Sequence, residues 1–593
     1  MITSLPPAFY FIATAFVLPF LPGKLKNIVS ITIPLFVCYL ISQLSSVSAY
    51  SVGFLGFELQ MLRIDELSKA FGYIFCISIS AAFLFGFYLK KAHEFMAALL
   101  YVGAALGVIF AGDLLSLYLY WEVMAIASAI LIFLGKTKAS LKAGYRYLLV
   151  HIMGGLFLLA GILLYYAQTG SFVFNTFTDL NIATYLILAG FLVNAAAIPF
   201  SSWLPDAYPE STVMGGVVLS AYTSKTAVYT ILRGFPGLDI LIWIGCAMAI
   251  YAIIYALLEN DMRRILGFMS VNQVGFMLCA AGIGTKLAIA GAVAHAFCHI
   301  IYKGLLWMSA GAVIHQTGLR RCTELGGLYR YMPVTLMFAF VGAMAISSLP
   351  FTSGFTSKTI IIAAAEHAHL FWAWLVLEIA SAGVFLHAGL KFPFFIFFNQ
   401  KSKQSTKEAP LCMLIAMGLL AFLCIYIGCF PEKLYHILPY KQIVFDQIPS
   451  SFSAIYGKHF YHVVTQMQLL LFSAIVFFLF LPMLKHTRTI TLDFDWIYRK
   501  GGKFAYWVLS SSLNGLNALT HKLVVKGLLQ HVATFGKKAP AFTIWMLLSP
   551  LYYKDQSAKS RIFHKIESSK MAIAVSSVAF LLFFTILISK HIN

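Results

Sequence analysis

The stretch LAIAGAVAHAFCHIIYKGLLWMSAGAVIH, residues 287–315, decides how this chain is read. It is long and apolar enough to cross a bilayer, whose hydrocarbon core takes about 20 residues of helix. Yet it carries His295, His299 and Lys303. A four-residue spacing places these three on one helix face, each about 6 Å above the last. That is too far for direct hydrogen bonds between them, so the stripe describes a wet line of titratable groups. Histidine suits such a line because its charge changes near neutrality and its two nitrogens accept and donate. The zinc-binding pattern HExxH is absent, since the run reads His295-Ala296-Phe297-Cys298-His299 with Cys298 off the stripe, and no metal is expected there.

Three more ionisable residues lie inside apolar runs: Glu122, Lys225 and Lys358. A charge at mid-bilayer costs roughly 2.5–3.5 kcal/mol on insertion scales, so a group of them needs a compensating reason, and ion transfer is the usual one. Glu122 lies roughly 13 Å along its helix from Asp113, at a depth that matches Lys225. A carboxylate and an ammonium about 7 Å apart at an effective dielectric near 20 attract by roughly 2.4 kcal/mol. The two are expected to pair, as a gated proton switch or as a static tie between helices. Both lysines sit in one tetrapeptide, Thr223-Ser224-Lys225-Thr226 and Thr356-Ser357-Lys358-Thr359, which suggests two copies of one device.

The chain of 593 residues is 60% hydrophobic and 11% charged, with a mean hydropathy of +0.85. Such a composition excludes a soluble fold of this length. Roughly fourteen to sixteen apolar runs read as transmembrane helices; they include 29–44, 70–89, 94–111, 114–134, 147–167, 182–198, 240–258, 287–315, 372–397, 411–430, 466–484 and 571–589. Because the runs are continuous and not alternating, they predict an all-α polytopic membrane protein and exclude a β-barrel.

The net charge of +20 does not point to nucleic acid, because the basic residues fall in short loops between apolar runs. An outside amino terminus puts Lys24, Lys26, Lys90, Lys91, Lys136, Lys138, Lys142, Arg146, Arg263, Arg264, Arg320, Arg321 and Arg330 in the cytoplasm. The opposing loops then hold chiefly Arg63, Lys69, Arg233 and Lys286, which is the positive-inside pattern. The first run has basic residues after it and none before it, so it reads as a retained helix, not a cleaved signal. Nine cysteines are scattered through the runs without CxxC spacing and read as packing residues.

Residues 1–93 are expected to form leading helices, 94–398 the core with the buried charges, and 399–485 further helices after the polar stretch 399–410. The mixed basic and apolar segment 486–570 is expected to lie along the membrane interface, and 571–593 to return to the bilayer. Within the core, Pro199 and Pro205 precede the Lys225 run, and Pro350 and Gly354 precede Lys358. Such interruptions expose backbone groups and admit the water that a buried lysine needs.

Taken together, Ile198-Pro199-Phe200-Ser201-Ser202-Trp203-Leu204-Pro205-Asp206-Ala207, the run on to Lys225 and Arg233, Asp113 through Trp121-Glu122, and Asp261-Met262-Arg263-Arg264 carry a resemblance. The His295, His299 and Lys303 stripe and Ala310-Gly311-Ala312-Val313-Ile314-His315 leading to Gly326-Gly327-Leu328 extend it. The region from about 60 to 400 resembles the antiporter-like subunits of Mrp-type Na+/H+ antiporters, respiratory complex I and membrane-bound hydrogenases. The resemblance implies fourteen or more helices with two inverted five-helix repeats that contain broken helices. It implies Glu122 and Lys225 as an ion pair, the histidine stripe with Lys303 as a central path, and Lys358 in an outer half-channel. It departs at Arg263, where a lysine commonly precedes the arginine; arginine hardly deprotonates, so this position is not expected to relay protons.

The overall look and the lysine at 358 resemble the Mrp D-type subunit in a cell membrane, with other membrane subunits as partners and H+ as the ion. The tail resembles the lateral helix of the distal complex I subunit, which keeps a respiratory proton pump as the alternative. The residues leave open whether Na+ passes through this chain. No GxGxxG, P-loop or cysteine cluster supports a redox enzyme, so no cofactor is expected. A passive scaffold would not need the buried charges.

Overall fold

The computed structural model describes residues 5–45, 49–54, 56–398, 406–449, 460–481 and 495–548, with a few single positions besides. The last apolar run, 571–589, lies outside the described residues. The chain divides into two units, Met1–Asp495 and Trp496–Asn593.

Among the described residues the first unit is a bundle of apolar helices, ten of them long and apolar enough to cross a membrane. Four shorter apolar helices accompany them: Pro7–Phe20, Ile182–Asn194, Pro333–Ile346 and Val463–Leu479. The helices Met262–Ile283 and Lys286–Thr317 are covered on all sides, whereas Lys138–Thr169 shows an outer face of Leu149, Leu156 and Leu163. The first two are therefore central and the third is peripheral. One departure from all-α structure is an antiparallel hairpin, Tyr50–Phe54 with Phe57–Leu62, turned at Gly56 where φ is +83°. Apolar and polar residues alternate through its second strand, a two-residue period that a search for long apolar runs passes over. The Gln60 amide donates to Asp113 Oδ2 at 2.7 Å, so the hairpin seats the start of helix Leu114–Phe133.

The core repeats itself. Helices Ala92–Phe110 and Ile240–Leu258 have 19 residues each, and Lys138–Thr169 and Lys286–Thr317 have 32 each. Asp113 caps helix Leu114–Phe133 and bridges to Val173, while Asp261 caps helix Met262–Ile283 and bridges to Arg321 across an identical interval. Both 32-residue helices end on a left-handed glycine, Gly170 and Gly318. Helices Ile182–Asn194 and Pro333–Ile346 end in the same widened turn: Ala197 N–H donates to Leu192 O and Leu349 N–H to Met344 O, around Ala196 and Ser348 at positive φ. Each copy comprises five spans, counting the interrupted segment Val213–Gly234 as one. An odd number of crossings inverts the second copy relative to the first. The two Thr-Ser-Lys-Thr segments do not occupy matched places in these copies, because the interval from Lys225 to Lys358 is shorter than any of the intervals that separate the other matched features.

The second unit contains the helical stretch 496–548, which is wound as π-helix at His521–Leu529. Phe504, Tyr506, Trp507, Leu513 and Leu516 are exposed on it beside Lys503 and Lys522. The exposed surface of this stretch thus mixes apolar and basic side chains.

Candidate proton path

Helix Lys286–Thr317 carries His295, His299 and Lys303 at the centre of the bundle, all fully buried. Their ring and side-chain spacing is as the four-residue period requires, with the two imidazole centroids 6.3 Å apart. His295 Nδ1 lies 3.0 Å from Ser357 Oγ, which joins the stripe to the second Thr-Ser-Lys-Thr segment. His295 Nε2, both nitrogens of His299 and the Lys303 ammonium have no protein partner. Buried polar groups are almost always hydrogen-bonded, so this row is a place for water. Beside it, Tyr302 donates to Gln273 Oε1 at 3.1 Å, Gln273 bonds Asn272, and Asn272 donates to Ala249 O at 2.7 Å.

Lys225 follows a break in its helix. The first piece, Val213–Leu219, stops at Ser220, and the second, Thr223–Gly234, starts where the Thr223 amide donates to Tyr101 Oη at 2.9 Å. The Lys225 ammonium fills the gap, donating to Ser220 O at 2.7 Å and lying 3.3 Å from Ser224 Oγ. Lys358 does the equivalent at another helix end, donating to Ile346 O at 2.9 Å with its ammonium 5.2 Å from the centre of the Phe276 ring. Both lysines thus rest on carbonyls that an ended helix leaves over. Lys225 acts electrostatically on His295, His299 and Lys303, and Lys358 acts on both histidines.

The structure does not bring Glu122 and Lys225 together. Glu122 takes part in none of the described ion pairs; its Oε1 is buried without a partner against Gly155 of helix Lys138–Thr169. The amide of Asn194, also without partners, abuts the adjacent Gly154. The sequence suggests a matched depth along two helices, but it does not display the direction each residue faces. Lys358 is in none of the described ion pairs either, although the charge of Glu378 on helix Phe371–Phe398 acts on it electrostatically. Glu378, Asn194, His387 and Lys391 were all missed by sequence reasoning. His387 and Lys391 offered a signal, the same four-residue spacing within an apolar run.

Arg263 holds structure. Its guanidinium donates to Pro209 O, Ser211 O and Thr212 O at 2.8–2.9 Å and lies 5.2 Å from the Trp307 ring centre, clamping the loop before the broken helix. Nearby, a cavity of about 600 Å³ opens among Glu210, Glu259, Asp261, Arg264 and Arg320. Arg320 bonds Asp261 and, at 2.6 Å, Glu210. Burial pushes the Glu259 carboxyl up, but the Arg264 guanidinium at 2.7 Å and the Asp261 and Asn260 amides outweigh it and hold it below the usual carboxylate range. The stability from this lowering is present above the unfolded value, about 4.3, and is lost as pH falls through the lower folded value. The melting temperature of the native chain should therefore drop further between neutral pH and pH 3 than that of Glu259→Gln; equal drops would remove this contribution.

Residues 111–386 match the family model described as NADH:quinone oxidoreductase/Mrp antiporter, transmembrane. The chain is 30% identical over 414 residues to the A-type Na(+)/H(+) antiporter subunit of Alkalihalophilus pseudofirmus, covering 61% of this chain and 51% of that protein. It is 31% identical over 422 residues to the A1-type Na(+)/H(+) antiporter subunit of Staphylococcus haemolyticus, covering 63% and 53%. The chain thus spans about half the length of these curated relatives, which are A-type and not the D type expected above. Among solved structures, an archaeal membrane-bound sulfane sulfur reductase complex superposes with a TM-score of 0.70 at 23% identity, covering 92% of this chain and 99% of that one. The Mrp complex from Dietzia sp. DQ12-45-1b gives 0.67 at 20% identity, with 74% and 96% covered. These superpositions show that the chain shares its fold with subunits of both complexes.

Proposed function

We propose that the chain is an ion-translocating subunit of a multisubunit Na+/H+ antiporter in the cell membrane. Protons move through Glu122, Lys225, His295, His299, Lys303 and Lys358. The observation that carries this reading is the row of wholly buried imidazoles and lysine whose ring and ammonium nitrogens, His295 Nδ1 apart, have no protein partner, flanked by two lysines parked on helix-end carbonyls. Like charges about 10 Å apart at an effective dielectric near 20 repel by roughly 1.7 kcal/mol. A proton arriving on one lysine therefore favours release from the next, more than tenfold. Water completes the hand-over along the stripe. His295→Gln should slow exchange less than Lys303→Ala, because a water or the Ser357 hydroxyl can stand in for one imidazole while nothing replaces the ammonium. Na+-driven proton uptake in everted vesicles decides this; negligible effects from both substitutions would return the stripe to ordinary packing.

A second reading is a proton-pumping subunit of a respiratory membrane complex. It is favoured by the sulfane sulfur reductase subunit, which matches over nearly the full chain. Purification of the intact complex separates the two: small hydrophobic antiporter partners support the first, quinone- or iron–sulfur-binding partners the second. In either complex the tail docks against a neighbouring subunit or braces the helices. Deletion from residue 493 onward should lower co-purification of partners more than it lowers exchange per assembled complex. Intact assembly with lost exchange would assign the tail to the ion path.

A further inference from the structure

Helix Phe371–Phe398 is irregular. After an α-helical start, Phe371–Val384, it is wound as π-helix over Phe385–Lys391 and again over Phe394–Phe398. Such widened turns recur at functional sites. His387 and Lys391 both lie in the first widened segment, and both are wholly buried. His387 Nδ1 sits 2.8 Å from Gly383 O. A carbonyl only accepts, so Nδ1 carries the hydrogen and Nε2 keeps a lone pair. No protein group partners that Nε2.

Lys391 lies one turn further on and points to the end of another helix. Its ammonium donates to Ala256 O at 2.8 Å, Leu257 O at 2.6 Å and Glu259 O at 2.8 Å, where helix Ile240–Leu258 terminates. Those acceptors are dipoles with about half a unit charge in total, not a carboxylate bonded to the lysine. Loss of a proton therefore strands no bonded counter-charge, and the amine still has two N–H donors for the carbonyls. Glu259 and Asn260 line the cavity that also contains Asp261 and Arg320. At the other end, His387 feels the charges of Lys391, of Lys303 on the central stripe and of Lys358.

We propose that His387 and Lys391 form a cytoplasmic branch of the buried proton path, joining the Lys303 end of the histidine stripe to the cavity at Glu259. The branch rests on the relay reading given above. In one passage the Lys391 ammonium gives a proton, through water, to His387 Nε2 and becomes an amine. The imidazolium passes its proton to the Lys303 amine, and Lys391 is reloaded from water in the cavity. Each group gains one proton and loses one. The competing role is a fixed helix cap, for which only the positive charge and its donors matter.

Two substitutions separate these roles. Lys391→Arg keeps charge and donors but does not release a proton at working pH. His387→Asn keeps an amide donor for Gly383 O and removes the relay nitrogen. Both are compared in the assembled complex by proton flux in vesicles, protein amount and thermal midpoint, with Lys303→Ala alongside. The expected result is a fall in flux of roughly tenfold or more in both variants, at near-native amount and midpoint. Normal flux in Lys391→Arg would show a cap and overturn the branch. Should the arginine not assemble, His387→Asn decides alone, and normal flux there overturns the proposal. If Lys303→Ala blocks flux while both branch variants conduct normally, the branch alone is wrong; if Lys303→Ala also conducts normally, the relay reading fails with it.

Discussion

Lys225→Ala is expected to bring ion-driven proton exchange down to background, a loss on the order of 100-fold, with the protein still assembled. The ammonium is fully buried, holds the Ser220 carbonyl at the helix break and acts on three groups of the central helix. Alanine removes the titratable ammonium and its two buried hydrogen bonds, to Ser220 O and Ser224 Oγ. Each costs about 1–3 kcal/mol, which a bundle of this size absorbs. Lys225→Arg should fail as well, since it keeps the charge and does not give it up. Exchange in vesicles, normalised to protein amount, is the measurement. Activity above half the native rate in the alanine variant would take Lys225 out of the path.

Gly354→Ala is expected to be the most damaging single methyl group in the core. A Cβ on Gly354 would collide with Ala345 O, a backbone atom that no rotamer change can move aside. Helix Ser353–His367 would have to shift away from the end of Pro333–Ile346, the junction at which Lys358 holds the Ile346 carbonyl. Overpacking of this kind costs about 3 kcal/mol or more. The folded yield and thermal midpoint should fall sharply. Gly418→Ala is the control, because its Cβ would meet only the rim of the Phe338 ring at 3.3 Å. Equal midpoints for the two variants would mean that the junction is loose.

Much of this architecture was legible in the sequence because a bilayer imposes simple demands. Continuous apolar runs of the right length became helices, and the four-residue spacing of His295, His299 and Lys303 became a buried stripe. Arg263 was expected to be no relay; its two terminal nitrogens bond loop carbonyls, and its Nε has no protein partner. The illegible part was direction and partner choice. Glu122 matched Lys225 in depth but faces Gly155, and the repeated tetrapeptide marks similar chemistry at unmatched places. The real signs of the internal repeat were a capping aspartate, a left-handed glycine and a widened turn, whose meaning depends on backbone bonds that a residue string does not display. Asn194 is the least legible of all, since an asparagine at a helix end is ordinarily a cap.

Helix Lys286–Thr317 touches no lipid in the finished bundle, and this bears on how the protein is made. As a segment emerging alone it carries Lys303 and two histidines in its middle, so its own sequence gives it weak grounds to leave the insertion machinery for the lipid. Helices Glu66–Phe85, Val213–Gly234 and Met262–Ile283, which pack on it, are synthesised earlier and can receive it, whereas Pro333–Ile346, Ser353–His367 and Leu411–Cys429 come later. The segment therefore has to wait for its companions on both sides, and damage to any of them should send the nascent chain to the proteases that clear unfinished membrane proteins.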